Sequence, residues 1–168
     1  MKKENWIAIL LGLTSTWSML THAATFQIKN GSTFFDAQLE VEKCDKEECS
    51  GTAYIKLYKK GKKQIFQTLY SNDLNFYLDK QQKPSVNIIQ LYDEQSPLIF
   101  DDFNFDGQED LAIRNGNQSS YGGPSYDVYV FNKTRQQFVL SNALTALAYD
   151  NLGMFQTDAK RKRIITFA

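Results

Sequence analysis

The sequence predicts an all-β fold, mainly antiparallel and arranged as a propeller-like array or a sandwich, with one short helix. Two observations support this prediction. Apolar and polar residues alternate with a period of two in several segments, as they do on a strand with one buried face. The apolar runs are also short, and turn-forming residues separate them, which is typical of antiparallel sheets.

The first half of the chain predicts a strand followed by a hairpin. Residues 35–42 alternate strictly between apolar and polar side chains, which indicates a half-buried strand. Two further β-rich runs, at 53–58 and 64–70, flank the lysine-rich turn 59–63. Gly61 in this turn can adopt the positive φ that a tight turn requires. We therefore expect these two runs to pair.

The second half predicts further strands and the helix. One strand is expected at 86–92, between two segments that contain proline. Shorter apolar runs predict additional strands at 97–100, 111–113, 127–131, 137–140 and 163–167. A helix of about two turns is expected at 143–149, with Ser141 or Asn142 as its N-cap and Gly153 at its end.

The N-terminal segment 1–23 has the layout of a secretory signal peptide. Lys2 and Lys3 give it a positive start, an apolar run follows, and small or neutral residues surround the expected cleavage point after Ala23 or Ala24. The apolar run is shorter than the roughly 20 residues of a membrane-spanning helix, although an uncleaved anchor remains the alternative. We expect a periplasmic protein with no membrane span after signal removal, folded as a single β domain at 24–168.

Loss of the signal peptide would exclude several classes of function. His22 is the only histidine of the chain, so the mature part has no imidazole for Ser-His-Asp or Cys-His catalysis or for a His-ligated zinc or copper site. The chain carries 19 basic and 19 acidic residues, and this balance does not favour nucleic acid or an anionic membrane as a partner. The basic runs at 59–63 and 160–163 are interpreted as solvated segments.

Cys44 and Cys49 are the two cysteines of the chain, and four residues separate them. In an oxidising compartment a local pair of this kind predicts a disulfide that pins a hairpin turn. A redox-active Cys-x-x-Cys motif has two intervening residues, so we do not expect redox catalysis.

The segment 102–110, called the acidic loop below, has the pattern of a calcium-binding loop. Side-chain or backbone oxygens fall at its first, third, fifth, seventh and ninth positions, and Gly107 occupies the sixth position, where such loops turn sharply. The twelfth position is Ile113, so the bidentate glutamate of an EF-hand is absent. We predict a strand-flanked Ca²⁺ site, with a metal-free loop of Asx-turns as the alternative. The predicted ligands are Asp102, Asn104, Asp106, Gln108 through its carbonyl, and Asp110.

The segment 115–126, called the glycine-rich loop below, is long, uncharged and carries two tyrosines. It lacks the lysine and the following helix of a phosphate-binding loop. Rigid aromatic rings beside Ser, Asn and Gly are typical of protein-binding loops. We therefore predict a partner-binding loop, with a plain surface loop as the alternative.

These motifs together carry a family resemblance. The acidic loop, then Tyr-Gly-Gly-Pro-Ser-Tyr at 121–126, Asp-Val-Tyr-Val-Phe at 127–131 and Phe-Val-Leu at 138–140 resemble the calcium-binding periplasmic inhibitors of peptidoglycan-cleaving effectors. The resemblance covers about residues 95–168. It implies a propeller-like fold related to periplasmic lysozyme inhibitors and a role as an immunity protein of bacterial type IV secretion killing systems. The acidic loop alone is also similar to the repeats of integrin-type propellers.

The resemblance further implies that the glycine-rich loop enters the substrate cleft of a lysozyme-like peptidoglycan hydrolase. Tyr121 would be the inserted side chain, and a calcium ion would hold the base of the loop. The matching residues are Tyr121, Gly122, Gly123, Pro124, Ser125 and Tyr126.

Two other functions follow from the same residues. The protein could be a calcium-dependent cell-surface or glycan-binding β module, in which exposed tyrosines stack on sugars. Asp101, Asp102 and Glu109 could instead supply the carboxylate pair of a glycosidase. We expect no enzyme activity and assign no catalytic residue, because Asp102 is required by the ion and the part of the chain after the predicted signal peptide has no histidine.

Overall fold

The computed structural model describes residues 23–91 and 94–168, and in these ranges the protein consists mainly of antiparallel strands. Residues 1–22 of the predicted signal peptide 1–23, and residue 92 at the end of the expected strand, lie outside the described residues. The strands of the first sheet are β1 (Ala24–Ile28), β2 (Phe35–Cys44), β3 (Glu48–Lys59) and β4 (Ile65–Tyr77). The second sheet contains β5 (Leu98–Asp101), β6 (Asp110–Arg114), β7 (Tyr126–Asn132) and β8 (Gln137–Leu140).

Four further elements complete the described chain. They are a single turn of 3-10 helix at Ser120–Gly122, the helix α1 (Asn142–Asp150), and the two-stranded pair β9 (Gln156–Asp158) and β10 (Arg163–Ile165). In both larger sheets each strand pairs with its neighbours in sequence, so the order is β1-β2-β3-β4 and β5-β6-β7-β8. The predicted fold class, all-β and antiparallel with one short helix, is confirmed. No helix in the described part of the chain is long and apolar enough to cross a membrane.

The alternation of apolar and polar residues explains which face of the first sheet is buried. Leu39 of β2 is paired with Ile55 of β3, which is paired with Leu69 of β4, and all three side chains point into the same buried layer. Between them lie residues such as Tyr54, whose side chain is exposed. The predicted hairpin is confirmed, and Gly61 adopts a φ of 73° in its turn.

The second sheet is buried on both faces. One face contributes Leu111 and Ile113 to the core that it shares with the first sheet. The opposite face contributes Ala112 and Val128 to a second core, which is closed by Ala148 of α1 and by the segment that follows the helix. This double burial explains why β5 and β6 read as short continuous apolar runs and not as alternating ones.

The prediction of a strand at 86–92 is wrong for the described residues, which form only isolated bridges from Val86 to Leu98 and from Ile89 to Gln95. Asn87 interrupts the segment with a φ of 62°. Its side-chain amide donates to the carbonyl of Gly31 at 2.6 Å, and its Oδ1 accepts from the backbone N–H of Phe100 at 2.7 Å. Asn87 therefore joins three chain segments and does not continue a strand. Strands β1 and β9 were not predicted.

The predicted helix is confirmed, and Ser141 is its N-cap because its hydroxyl accepts from the N–H of Leu144. The expectation that Gly153 ends the helix is wrong. Asn151 is the C-cap, and its side-chain amide donates to the carbonyl of Leu147 at 2.8 Å. This bond satisfies one of the carbonyls that a helix end leaves free.

The predicted disulfide between Cys44 and Cys49 is present. The two residues are paired at the ends of β2 and β3, and Cys49 is fully buried. Between them, Asp45 Oδ1 accepts from the N–H groups of Glu47 and Glu48, each at 3.1 Å. The bond therefore closes a hairpin turn that is already shaped by hydrogen bonds.

Reduction of this disulfide should lower the free energy of unfolding by about 2 kcal/mol, because the closed loop is very short and constrains the unfolded chain only modestly. Urea denaturation with and without a reductant measures this difference. A variant carrying Cys44→Ser and Cys49→Ala serves as the control, and its urea midpoint should not respond to the reductant. An unchanged midpoint for the reduced wild-type protein would contradict the prediction.

Candidate functional site

The acidic loop and the glycine-rich loop lie at opposite ends of β6. The acidic loop connects β5 to β6, and the glycine-rich loop connects β6 to β7. Five residues of extended strand separate them, which corresponds to about 15 Å. The expectation that an ion in the acidic loop holds the base of the glycine-rich loop is therefore wrong.

Side-chain oxygens of the acidic loop accept hydrogen bonds from the backbone N–H groups of the same loop. The N–H of Asp106 donates to both Asp102 Oδ1 and Asn104 Oδ1, each at 3.0 Å, so these two oxygens lie on the same side of the loop. Asp102 Oδ2 accepts from the N–H of Gly107 at 2.8 Å, and Asp106 Oδ1 accepts from the N–H of Gln108 at 2.8 Å. Gly107 has a φ of 81°, as the sharp turn requires.

Asp110 fastens the acidic loop to the second sheet. Its side chain is fully buried; Oδ2 accepts from the N–H of Phe103 at 2.9 Å, and Oδ1 accepts from the N–H of Phe131 in β7 at 2.8 Å. Burial raises the pKa of Asp110 to about 6, although these backbone hydrogen bonds act in the opposite direction. A cation beside the loop would favour the charged carboxylate.

The donors of the acidic loop have the chemistry of a calcium site, since carboxylate, amide and carbonyl oxygens are the ligands of this hard cation. Among the described residues, however, no three His, Cys, Asp or Glu side chains are gathered closely enough to form a metal site by themselves. Asn104 and the carbonyl of Gln108 would therefore be essential ligands. Lys133 also approaches the loop, with its Nζ 2.9 Å from the carbonyl oxygen of Asp106. Calcium binding stays a prediction.

The other two carboxylates considered for catalysis hold chain segments together. Asp101 Oδ2 accepts from the hydroxyl of Thr157 in β9. Glu109 accepts from the hydroxyl of Ser32 and from the N–H of Thr33, in the connection between β1 and β2. Glu109 thereby joins the acidic loop to the first sheet, a role that no local sequence pattern indicates.

The glycine-rich loop contains a compact turn at its tip. The N–H of Gly122 donates to the carbonyl of Ser119 at 3.1 Å, and the N–H of Gly123 donates to the carbonyl of Ser120 at 3.2 Å. Tyr121 and Gly122 both adopt positive φ values, 57° and 71°. The side chain of Tyr121 is 98% exposed, the highest exposure among the large apolar and aromatic side chains of the described residues.

The six residues that the resemblance assigns to partner binding are thus divided by burial. Tyr121 and Gly122 are exposed, and Gly123 and Pro124 are half-buried. Ser125 and Tyr126 are fully buried, so they support the loop from within. The hydroxyl of Tyr126 donates to the carbonyl of Ser96 at 2.8 Å, and burial raises the pKa of this hydroxyl above its usual range.

The helix end also supports the glycine-rich loop. The N–H of Ser120 donates to the carbonyl of Asn151 at 3.0 Å, and the Ser120 hydroxyl donates to the carbonyl of Asp150 at 3.1 Å. These bonds use carbonyls at the C-terminal end of α1, which a helix leaves without internal partners. The residue next to Tyr121 is therefore attached to a separate rigid element.

A second group of exposed aromatic rings lies on the first sheet. Tyr54 of β3 and Tyr70 of β4 are paired across the sheet, and their ring centroids are 5.2 Å apart. Tyr54 is 51% exposed. This pair faces solvent on the side of the sheet that is not packed against the second sheet.

A comparison with solved structures finds one with a similar fold, a type IV secretion system related protein from Xanthomonas. The two chains superpose with a TM-score of 0.58 at 23% sequence identity, over 82% of this chain and 69% of the Xanthomonas chain. The chain therefore has the fold of that protein over most of its length. No family model and no curated protein matches the chain.

Proposed function

We propose that this protein is a periplasmic inhibitor of a lysozyme-like peptidoglycan hydrolase and acts as an immunity protein of a type IV secretion killing system. The observation that carries the proposal is Tyr121, an almost fully exposed aromatic side chain on a loop whose backbone is fixed by hydrogen bonds. Tyrosine is one of the residue types that most often dominate the binding energy of protein interfaces.

The fold of the Xanthomonas type IV secretion system related protein supports the same assignment. The loop motifs quoted above add the resemblance to inhibitors of peptidoglycan-cleaving effectors. The disulfide and the predicted signal peptide both fit a periplasmic location, since disulfides persist in oxidising compartments.

Inhibition would be steric, without chemistry supplied by this chain. The ring of Tyr121 would enter the substrate cleft of the hydrolase, and the exposed backbone at Gly122 would allow close approach because no side chain projects there. The loop is ordered by its own hydrogen bonds and by those to α1, so little conformational entropy would be lost when it binds.

We further propose that the acidic loop binds Ca²⁺ through the five predicted ligands, with a structural role. The ion would supply positive charge that offsets the repulsion between the loop carboxylates. Asp110 attaches this loop to β7 and Glu109 attaches it to the connection between β1 and β2. Calcium would therefore stabilise the junction of the two sheets, at the end of β6 away from Tyr121.

The proposal is tested with protein expressed from the full-length chain and purified from the periplasm. The immobilised protein is incubated with secreted and periplasmic proteins, and any recovered hydrolase is purified and assayed for clearing of a peptidoglycan suspension. We expect a one-to-one complex and loss of clearing at equimolar inhibitor. A hydrolase that is bound but still clears peptidoglycan at saturating inhibitor would refute the proposal.

The alternative function, a surface or glycan-binding module, is favoured by one observation, the exposed Tyr54–Tyr70 pair. Aromatic rings of this kind can stack on sugar rings. Sedimentation of the protein with purified peptidoglycan separates the two functions. Co-sedimentation that is lost in Tyr54→Ala, together with no recovered hydrolase, would support the module.

A further inference from the structure

Asn115, at the start of the glycine-rich loop, makes an unusual number of contacts for one side chain. Its Oδ1 accepts from the N–H groups of Asn72 and Asp73 in β4, at 3.1 and 3.2 Å, and lies 3.3 Å from the hydroxyl of Ser71. Its Nδ2 donates to Asp127 Oδ2 in β7 at 2.8 Å. The acceptor side of the amide therefore holds the first sheet, and the donor side holds the second.

The backbone around Asn115 closes the neck of the glycine-rich loop, which is the place where its two ends, at 115–116 and at 125, lie side by side. The N–H of Asn115 donates to the carbonyl of Ser125 at 2.8 Å, and the N–H of Ser125 donates to the carbonyl of Gly116 at 3.0 Å. The hydroxyl of Ser125 donates to the carbonyl of Asn115 at 2.7 Å. The N–H of Gly116 donates across to the carbonyl of Asp73 in β4 at 2.6 Å. The two sides of the neck are thus hydrogen-bonded to each other, and the side that contains Gly116 is also hydrogen-bonded to β4.

The chemistry of this junction suits an asparagine. An aspartate would keep the acceptor for the β4 amides, but it would lose the donor and place a carboxylate against Asp127. An alanine would leave the N–H groups of Asn72 and Asp73 without this partner. The acidic loop takes no part in the junction, because it lies at the other end of β6.

We propose that Asn115 is a positioning residue that sets the conformation in which the glycine-rich loop presents Tyr121. It does so by attaching the loop neck to β4 and β7 at once. The first sheet thereby influences the conformation of the partner-binding surface, although Asn115 itself does not contact the partner. This inference rests on the proposed function, since it concerns the same loop, but it also makes a claim about the free protein.

The test compares three variants. Asn115→Ala removes both the acceptor and the donor of the side-chain amide. Asn115→Asp combined with Asp127→Asn reverses the direction of the hydrogen bond between these two residues. Asn132→Ala is the matched control, because Asn132 Oδ1 also accepts from a backbone N–H, that of Arg135, but at the opposite end of β7. For each variant, hydrogen–deuterium exchange of the loop amides, the affinity for the recovered hydrolase and the unfolding midpoint are measured.

We expect Asn115→Ala to speed exchange at the amides of Ser119, Gly122, Gly123 and Ser125 by at least about tenfold and to weaken hydrolase binding by a similar factor, beyond any change from unfolding. The double variant Asn115→Asp with Asp127→Asn should recover most of the wild-type exchange protection and hydrolase affinity. Asn132→Ala should change neither the exchange rates nor the affinity. Unchanged exchange in Asn115→Ala would overturn the proposal. If the wild-type protein binds no hydrolase, the proposed function fails, whereas the exchange result still decides the role of Asn115.

Discussion

Replacing Tyr121 by alanine should weaken binding of the hydrolase by about 2 kcal/mol, or about 30-fold, because an exposed aromatic side chain on a fixed loop becomes buried only in the complex. The unfolding midpoint should not change, since the side chain is 98% exposed in the free protein. Calorimetric titration of the hydrolase with each variant measures the loss.

The control for this substitution is Tyr54→Ala, which removes another exposed tyrosine from the outer face of the first sheet. Its affinity for the hydrolase should remain within about twofold of the wild-type value, because it lies outside the glycine-rich loop. A loss below about 0.5 kcal/mol for Tyr121→Ala would remove this residue from the proposed role.

The second large effect is expected from calcium. At a free concentration 100 times its dissociation constant, Ca²⁺ should raise the free energy of unfolding by about 2.7 kcal/mol, because the unfolded chain cannot assemble the loop oxygens. Urea denaturation in calcium and in a chelator measures this difference. The affinity of the folded protein for the hydrolase should change less than about threefold, since Tyr121 lies at the other end of β6.

Asp102→Asn tests which residues bind the ion, because asparagine has the same size and keeps one acceptor oxygen but lacks the charge and the second acceptor that serve the N–H groups of Asp106 and Gly107. Its stability should no longer respond to calcium. Asp79→Asn is the matched control, since Asp79 Oδ1 also accepts from backbone N–H groups in a turn, those of Gln81 and Lys83. A wild-type protein whose stability is the same in calcium and in chelator would identify the acidic loop as a metal-free turn.

Local patterns in the sequence predicted most strands correctly, because the strands pair with their neighbours along the chain. Alternation at 35–42 placed β2, and Gly61 between two β-rich runs placed the hairpin. The prediction failed at 86–92, where Asn87 bonds to residues far away in sequence, and tertiary contacts overrode the local preference.

The two candidate loops could be located from sequence, but what holds them could not. The partners of Asn115 in the first sheet lie in β4, more than 40 residues earlier in the chain, and those of Glu109 lie more than 70 residues earlier. No spacing rule connects such positions. The separation of the two loops, by contrast, follows from the predicted strand at 111–113, because loops on either side of one strand must lie at its opposite ends.

The central claim, that Tyr121 enters the cleft of a peptidoglycan hydrolase, is tested most directly by replacing Tyr121 with the photoreactive analogue p-benzoylphenylalanine. The complex is irradiated, and the crosslinked peptides are identified by mass spectrometry. We expect crosslinks to peptides that line the catalytic cleft of the hydrolase, and these should disappear when a soluble peptidoglycan fragment occupies the cleft. Crosslinks to a surface outside the cleft, or crosslinks that persist when the fragment is bound, would contradict the account.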